Sequence, residues 1–399
     1  MGRATIIVLL VLPLVLALVR TDWRGMRIKR VQWTSYPTDT KLLLLACAIT
    51  CIVWLTSSAL SIYPLKSLNT WARTLALVLM GYLLTNALAH DKHTLSTAVK
   101  ALVTSSSIIL CLAIITLYFN EAIFDAYRAI KGDGAIPLQT LKPYFSVAIC
   151  ILPVVLWSGW HEKGIWRTLA ILHIPLTVLL IYGRGEQPGL SASFGLASSA
   201  LLLGIVCMLK QLSYRAAWSI IVIIFLATLY SAFFIISNLP TPPVSAAPNP
   251  TIGFPDWHRQ VIWGFVVEII KDTPVLGVGP NTVNLVPGAN EQIPSLNQEY
   301  IPSHPHNWVL EIAAETGFLG VSALIITLLL GLKKLSSFIL SEDPAPAWAA
   351  IALYGAFWSS SLGNFSIWSV WWLAVFIVLM CFPLAAILMQ EQSRAFREK

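Results

Sequence analysis

Eleven mostly apolar runs of 16 to 23 residues dominate this chain, at about 4–19, 41–62, 71–89, 97–118, 142–159, 165–182, 189–209, 215–236, 312–332, 345–361 and 367–389. A helix needs about 20 such residues to cross the hydrocarbon core of a bilayer. In lipid every backbone N–H and C=O must be paired internally, which a helix does within one segment. The runs therefore predict membrane-spanning helices. A water-soluble domain carries about 25% charged residues. Here 57% of the 399 residues are hydrophobic and 11% are charged, too few to cover a soluble surface and too apolar for a disordered chain. Alternation at strand period is absent, which excludes a transmembrane barrel. Arg3 precedes the first run as in a signal peptide, but no small-residue cleavage site stands before Arg20 and Asp22, so this run is read as a span. The expected fold class is an all-α polytopic membrane protein with about 11–12 transmembrane helices.

The placement of Lys and Arg sets the expected orientation, because cytoplasmic loops are enriched in both. One side collects 17 of the 26, including the cluster from Arg20 to Lys41 and the terminal Arg394, Arg397 and Lys399. The other side holds nine, few for its long loop. Residues 237–305 are thus expected to face outward. The organisation reads as transmembrane helices in 1–236, a large outer loop in 237–305, and C-terminal spans with a cytoplasmic tail in 306–399. The net charge of +7 follows from topology and calls for no nucleic-acid partner. All six cysteines lie inside spans, so no disulfide framework is expected.

The outer loop is not uniform. A Pro-rich extended stretch occupies 237–256. Asp256 is a good N-cap, and Trp257 to Ile270 reads as an amphipathic helix ended by Thr273-Pro274. A turn follows at 276–281, and His304-Pro305-His306-Asn307 then opens a helix that enters the next span through Glu311, Glu315 and Gly317. A long ordered loop between spans is uncommon unless it has a function.

Several chemistries have no residues here. There is no G-x-x-x-x-G-K-[ST] phosphate loop, no Asp-x-Asp pair, and no second His four residues after His161. His304 and His306 lack an obvious third ligand for a metal, so neither metal nor cofactor is expected. Polar groups at membrane edges remain. Arg184, flanked by Gly183 and Gly185, and Arg259, near the start of the loop helix, each offer a planar fork suited to phosphate oxygens. From position alone each reads first as an exposed or snorkelling cation. His306 suits general-base work or helix capping. Glu311 and Glu315 share a helical face and could orient His306 or anchor the loop. Pro305 is expected to make His304 and His306 point in different directions.

Taken in order, these fragments resemble the O-antigen ligase and polymerase superfamily. His306-Asn307, Leu310-Glu311, Glu315, Gly317 and Gly320 are similar to its H-N-x-x-L-E-x-x-x-E-x-G-x-x-G pattern. Arg259, Trp263, Ile270, Pro274, Gly277 and Gly279 match its R-x-x-x-W…I…P-x-x-G-x-G run. Arg184-Gly185 resembles its Ser-Arg-Gly element, with Gly183 in place of serine. The resemblance implies a GT-C-like, inverting glycosyltransferase without cofactor, in the bacterial inner membrane, with its active site facing the periplasm. Its donor would be polysaccharide on undecaprenyl pyrophosphate and its acceptor lipid A–core. Arg184 and Arg259 would bind the pyrophosphate, His306 would be the base, and Asn307, Glu311 and Glu315 would support them. Membrane lipids would surround a chain that nothing requires to be more than a monomer. Within the superfamily, an O-antigen polymerase or a protein O-oligosaccharyltransferase shares the donor chemistry. A transporter or flippase is the alternative from another class, although charges here avoid the span centres.

Overall fold

The computed structural model describes residues 37–119, 125, 129, 137–183, 190–241, 256–294 and 296–397. The run at 4–19, Arg184 with the loop around it, most of the 119–141 connection and the Pro-rich residues 242–255 lie outside the described residues.

Eleven α-helices form among the described residues: α1 (Thr38–Ala59), α2 (Pro64–Leu88), α3 (Lys92–Tyr118), α4 (Pro137–Glu162), α5 (Gly164–Tyr182), α6 (Leu190–Gln211), α7 (Tyr214–Ser237), α8 (Trp257–Asp272), α9 (Trp308–Ser337), α10 (Ala345–Ser360) and α11 (Val370–Arg397). Each apolar run from 41–62 onward falls on one of them, and α8 is the helix of the large loop. Eight are long and apolar enough to cross a membrane. The all-α polytopic expectation is borne out. The one departure is a two-residue antiparallel pair, Gln292–Ile293 with Gln298–Glu299, inside the loop.

Local chemistry places the helix starts. Asp91 Oδ1 accepts the Thr94 amide at 2.8 Å and caps α3, and Asp256 Oδ1 accepts the Arg259 amide at 3.1 Å and caps α8. Both satisfy N–H groups that a helix leaves open at its first turn. The span in α4 is the most enclosed, with 78% of its apolar window buried. It packs against α3, α5 and α10, while α9 packs on α1, α11 on α2 and α10 on α6. Ile52, Leu79, Leu201 and Leu329 stay exposed. Water would penalise such a surface. Lipid does not.

With 16 residues, α10 rises only about 24 Å, less than the roughly 30 Å of a bilayer core. The chain after it, 361–369, is largely non-helical, yet Ser361, Asn364 and Ser366 are buried. Irregular backbone is tolerated at such a place only where protein covers it. Here the start of α9 and the His304–Asn307 segment lie against it.

Candidate functional site

The loop and α9 are joined through a break in the helix. Gly317 takes φ 65°, outside helical geometry, and interrupts the backbone ladder of α9. The freed amides of Phe318 and Leu319 donate to the carbonyls of Pro274 (2.8 Å) and Val275 (3.4 Å). In the other direction, the amides of Val278 and Gly279 donate to the carbonyls of Ala314 (3.0 Å) and Glu315 (2.8 Å). Gly277 and Gly317 both have positive φ, and a Cβ on either would strike the backbone of the opposite segment. Only glycine lets two backbones approach so closely in that conformation. The two motifs read separately in the sequence are thus one interlocked unit. Ser57, at the end of α1, completes it by donating to the carbonyls of Leu276 (2.7 Å) and Glu315 (2.9 Å).

The two glutamates serve this unit. Glu315 accepts from the amides of Asn281 (2.7 Å) and Val283 (3.0 Å) and from Trp368 Nε1. Glu311 accepts from Ser366 Oγ (2.5 Å) and the Ile367 amide (3.0 Å). Both side chains are buried. Their hydrogen bonds clamp the loop on one side and the 361–369 segment on the other.

The histidines sit where these parts meet. Trp263, on α8, donates Nε1–H to the Pro305 carbonyl at 2.9 Å and pins the His-Pro-His segment. His306 takes φ 55°, and Asn307 then caps α9 by accepting the Val309 and Leu310 amides at 3.0 and 3.2 Å. Capping therefore falls to Asn307. The left-handed turn at His306 folds the chain back, so the rings of His304 and His306 lie 4.2 Å apart between centroids. Both face the same acceptor: His304 Nε2 and His306 Nδ1 are each 2.9 Å from the Asn364 carbonyl oxygen. This corrects the expectation that Pro305 would point them apart. A carbonyl oxygen only accepts, so Nδ1 of His306 carries the proton and Nε2 of the neutral ring keeps its lone pair. Asn364 is itself held, with Nδ2 donating to Ser146 Oγ on α4 at 2.9 Å.

Burial above all, then the neighbouring His304, Arg259 and Lys142, push His306 down to about 3, against the Asn364 hydrogen bond, which favours the cation. The ring is neutral at physiological pH. Arg259 stands in the first turn of α8 with 21% of its side chain exposed, its Nε 3.5 Å from the exposed Asp256. Lys142, in the first turn of the α4 span, feels the charges of Arg259 and Asp256. The structure thus brings together His306, Arg259, Asn307 and, behind them, Glu311 and Glu315, while Arg184 lies outside the described residues. Sequence reasoning missed Lys142 and Asn364 as members. A cation at the very start of an apolar run, and an Asn in the polar break between the last two spans, were the available signals. Among the described residues no three His, Cys, Asp or Glu side chains gather as a metal site.

Fold and site together define a multi-pass helical membrane protein whose extramembrane loop closes a cationic, histidine-bearing site over the ends of its spans. Residues 143–325 match the family model described as O-antigen ligase, and the resemblance read from the sequence is borne out. The chain is 23% identical over 346 residues to a Rickettsia felis protein named "Putative polysaccharide ligase", covering 84% of this chain and 77% of that one. A Rickettsia conorii protein with that name is 22% identical over 366 residues, covering 88% and 81%. The matched region contains Arg259, His306, Glu311 and Glu315.

Proposed function

We propose that this chain is an O-antigen ligase that transfers polysaccharide from undecaprenyl pyrophosphate to lipid A–core on the periplasmic face of the inner membrane. The observation that carries the reading is the His306 tautomer: Asn364 holds Nδ1–H and leaves the Nε2 lone pair free, on a ring that feels the charges of Arg259 and Lys142. The acceptor hydroxyl oxygen attacks the anomeric carbon from the face opposite the pyrophosphate, which inverts the centre. His306 Nε2 takes the hydroxyl proton. The bond from the anomeric carbon to the phosphate oxygen breaks, and its electron pair leaves with the pyrophosphate. Negative charge grows there in the transition state, so fixed cations aimed at it lower the barrier. Arg259 supplies one, Lys142 a second, and Arg184 is assigned a third from the resemblance. A base of pKa about 3 is weak, but the incoming pyrophosphate offsets the positive potential of Arg259 and Lys142 and raises the basicity of His306. The base is strongest when the donor is in place.

The test is the surface glycolipid of a deletion strain. Lipid A–core without polymer, together with long polymer still on the undecaprenyl carrier, is the expected result. Single repeat units on lipid A–core would identify a polymerase instead. An unchanged glycolipid would remove both readings.

A further inference from the structure

The far end of the helix bundle holds a cavity of about 540 Å³ that the transfer chemistry does not use. Trp157 and Ser158 line it, about 24 Å along α4 from Lys142. Its volume lies within the range of small-molecule sites. Val99, Phe338 and Met389 give it an apolar wall, and charged side chains surround its mouth.

The charges there are not balanced in how they are used. Each lining carboxylate already has a protein donor. Glu162 accepts from Ser96 Oγ (2.8 Å) and pairs with Lys100 (3.1 Å). Glu391 pairs with Lys334 and Glu342 with Arg397, each at 3.5 Å, and Asp343 accepts the Ala345 amide at 3.1 Å. Lys92 and Arg394 line the cavity and make no ion pair among the described residues. Two buried donors are also unused. Ser158 is 1% exposed and its Oγ has no partner, and Trp157 Nε1 is buried without one. A buried polar group without a partner loses its hydration with nothing in return and signals an absent acceptor. Two cations without an ion pair, unused donors and an apolar wall at the end of membrane-spanning helices fit one kind of occupant, an anionic amphiphile.

We propose that this cavity binds the phosphate headgroup of an anionic membrane lipid, with Lys92 and Arg394 meeting the phosphate and Ser158 and Trp157 donating to its remaining oxygens. The lipid chains lie along the apolar wall and pass into the surrounding bilayer. The site is separate from the His306 site and stands whether or not the ligase reading does.

The full chain in phosphatidylcholine nanodiscs, titrated with phosphatidylglycerol and followed by native mass spectrometry and thermal unfolding, tests it. One retained phosphatidylglycerol per chain and a raised Tm are expected. The double variant Lys92→Glu, Arg394→Glu should weaken retention at least about tenfold, since it turns two attractions for the anionic headgroup into repulsions. Lys271→Glu, at the opposite end, should change nothing. Ser158→Ala should weaken retention with an unchanged Tm in pure phosphatidylcholine, and it decides the matter if the double variant does not fold. Equal retention by wild type and variants overturns the proposal, as does equal retention of phosphatidylcholine. Displacement of the lipid by millimolar inorganic phosphate would show a site for the free anion and overturn the lipid assignment.

Discussion

The imidazole Nδ1 of His306 lies 2.9 Å from the backbone carbonyl oxygen of Asn364, 58 residues away in sequence. That contact converts a histidine of undefined tautomer into one whose Nε2 lone pair has a fixed direction. Because the acceptor is a main-chain group, no side-chain change at 364 deletes it directly.

If His306 is the base, its replacement should remove about 10²–10⁴-fold of the transfer rate per folded molecule. His306→Asn is the informative variant, because asparagine tolerates the left-handed backbone found there. Unchanged thermal stability with a rate lowered by that order is expected. A near wild-type rate in His306→Asn would make His306 structural. His304→Ala should act more mildly, since His304 shares the Asn364 carbonyl but uses its Nε2 to do so.

The pH dependence follows from the depressed His306 value. Above about 3 the free enzyme keeps the ring neutral, so kcat/KM should hold steady as pH falls from 7 to 5. With donor bound, the offset positive potential should move the acid limb of kcat upward. Coincident limbs near 6.5 in both profiles would contradict this. Stability carries its own sign. Below the ordinary imidazole value of 6.5 the unfolded chain binds a proton that folded His306 refuses. Acidification from about 6.5 to about 3 should therefore lower stability at this group, and further acidification should not.

Arg259→Ala should cost at least about tenfold in transfer, or about 1.4 kcal/mol of transition-state stabilisation. Arg259→Lys should recover only part, because lysine keeps the charge and loses the bidentate fork. Lys142→Met should lower kcat more than it raises KM for the donor, because its fixed charge is worth most against the charge that grows in the transition state. Steady-state kinetics with reconstituted donor would separate these, and an unaltered Arg259→Ala enzyme would remove the pyrophosphate assignment.

Gly317→Ala should be destabilised by about 1–3 kcal/mol from backbone strain alone, with the collision against Val275 added. Glu315→Gln should behave similarly, because its amide would face three donors where only acceptors fit. In both, yield of folded protein should fall while the rate per folded molecule stays near wild type. A specific loss of rate in stably folded Glu315→Gln would make Glu315 part of the chemistry.

Topology can be read with an impermeant thiol reagent on a chain whose six cysteines are replaced. Asn290→Cys should label from outside and Arg30→Cys should not. The reverse pattern would put the His306 site on the wrong side for the proposed donor.

How much was legible beforehand divides along a physical line. The apolar runs, the Asp256 cap and the stop at Pro274 were readable because hydrophobic length, side-chain capping and the missing proline amide act within a few residues. Arg259 and His306 could be singled out as residue types suited to phosphate and proton transfer, and the glycines as places needing special backbone. What each glycine meets was not readable, since Gly277 and Gly317 answer to each other across 40 residues of chain. Nor was the convergence of His304 and His306, which depends on one positive φ and on a carbonyl from the short break after α10. The sequence by itself determined which segments enter lipid, because that depends on local transfer free energy. Only the tertiary structure decided which nitrogen of His306 is free, because that depends on a distant backbone oxygen held in place by the packing of α4, α9 and the 361–369 segment.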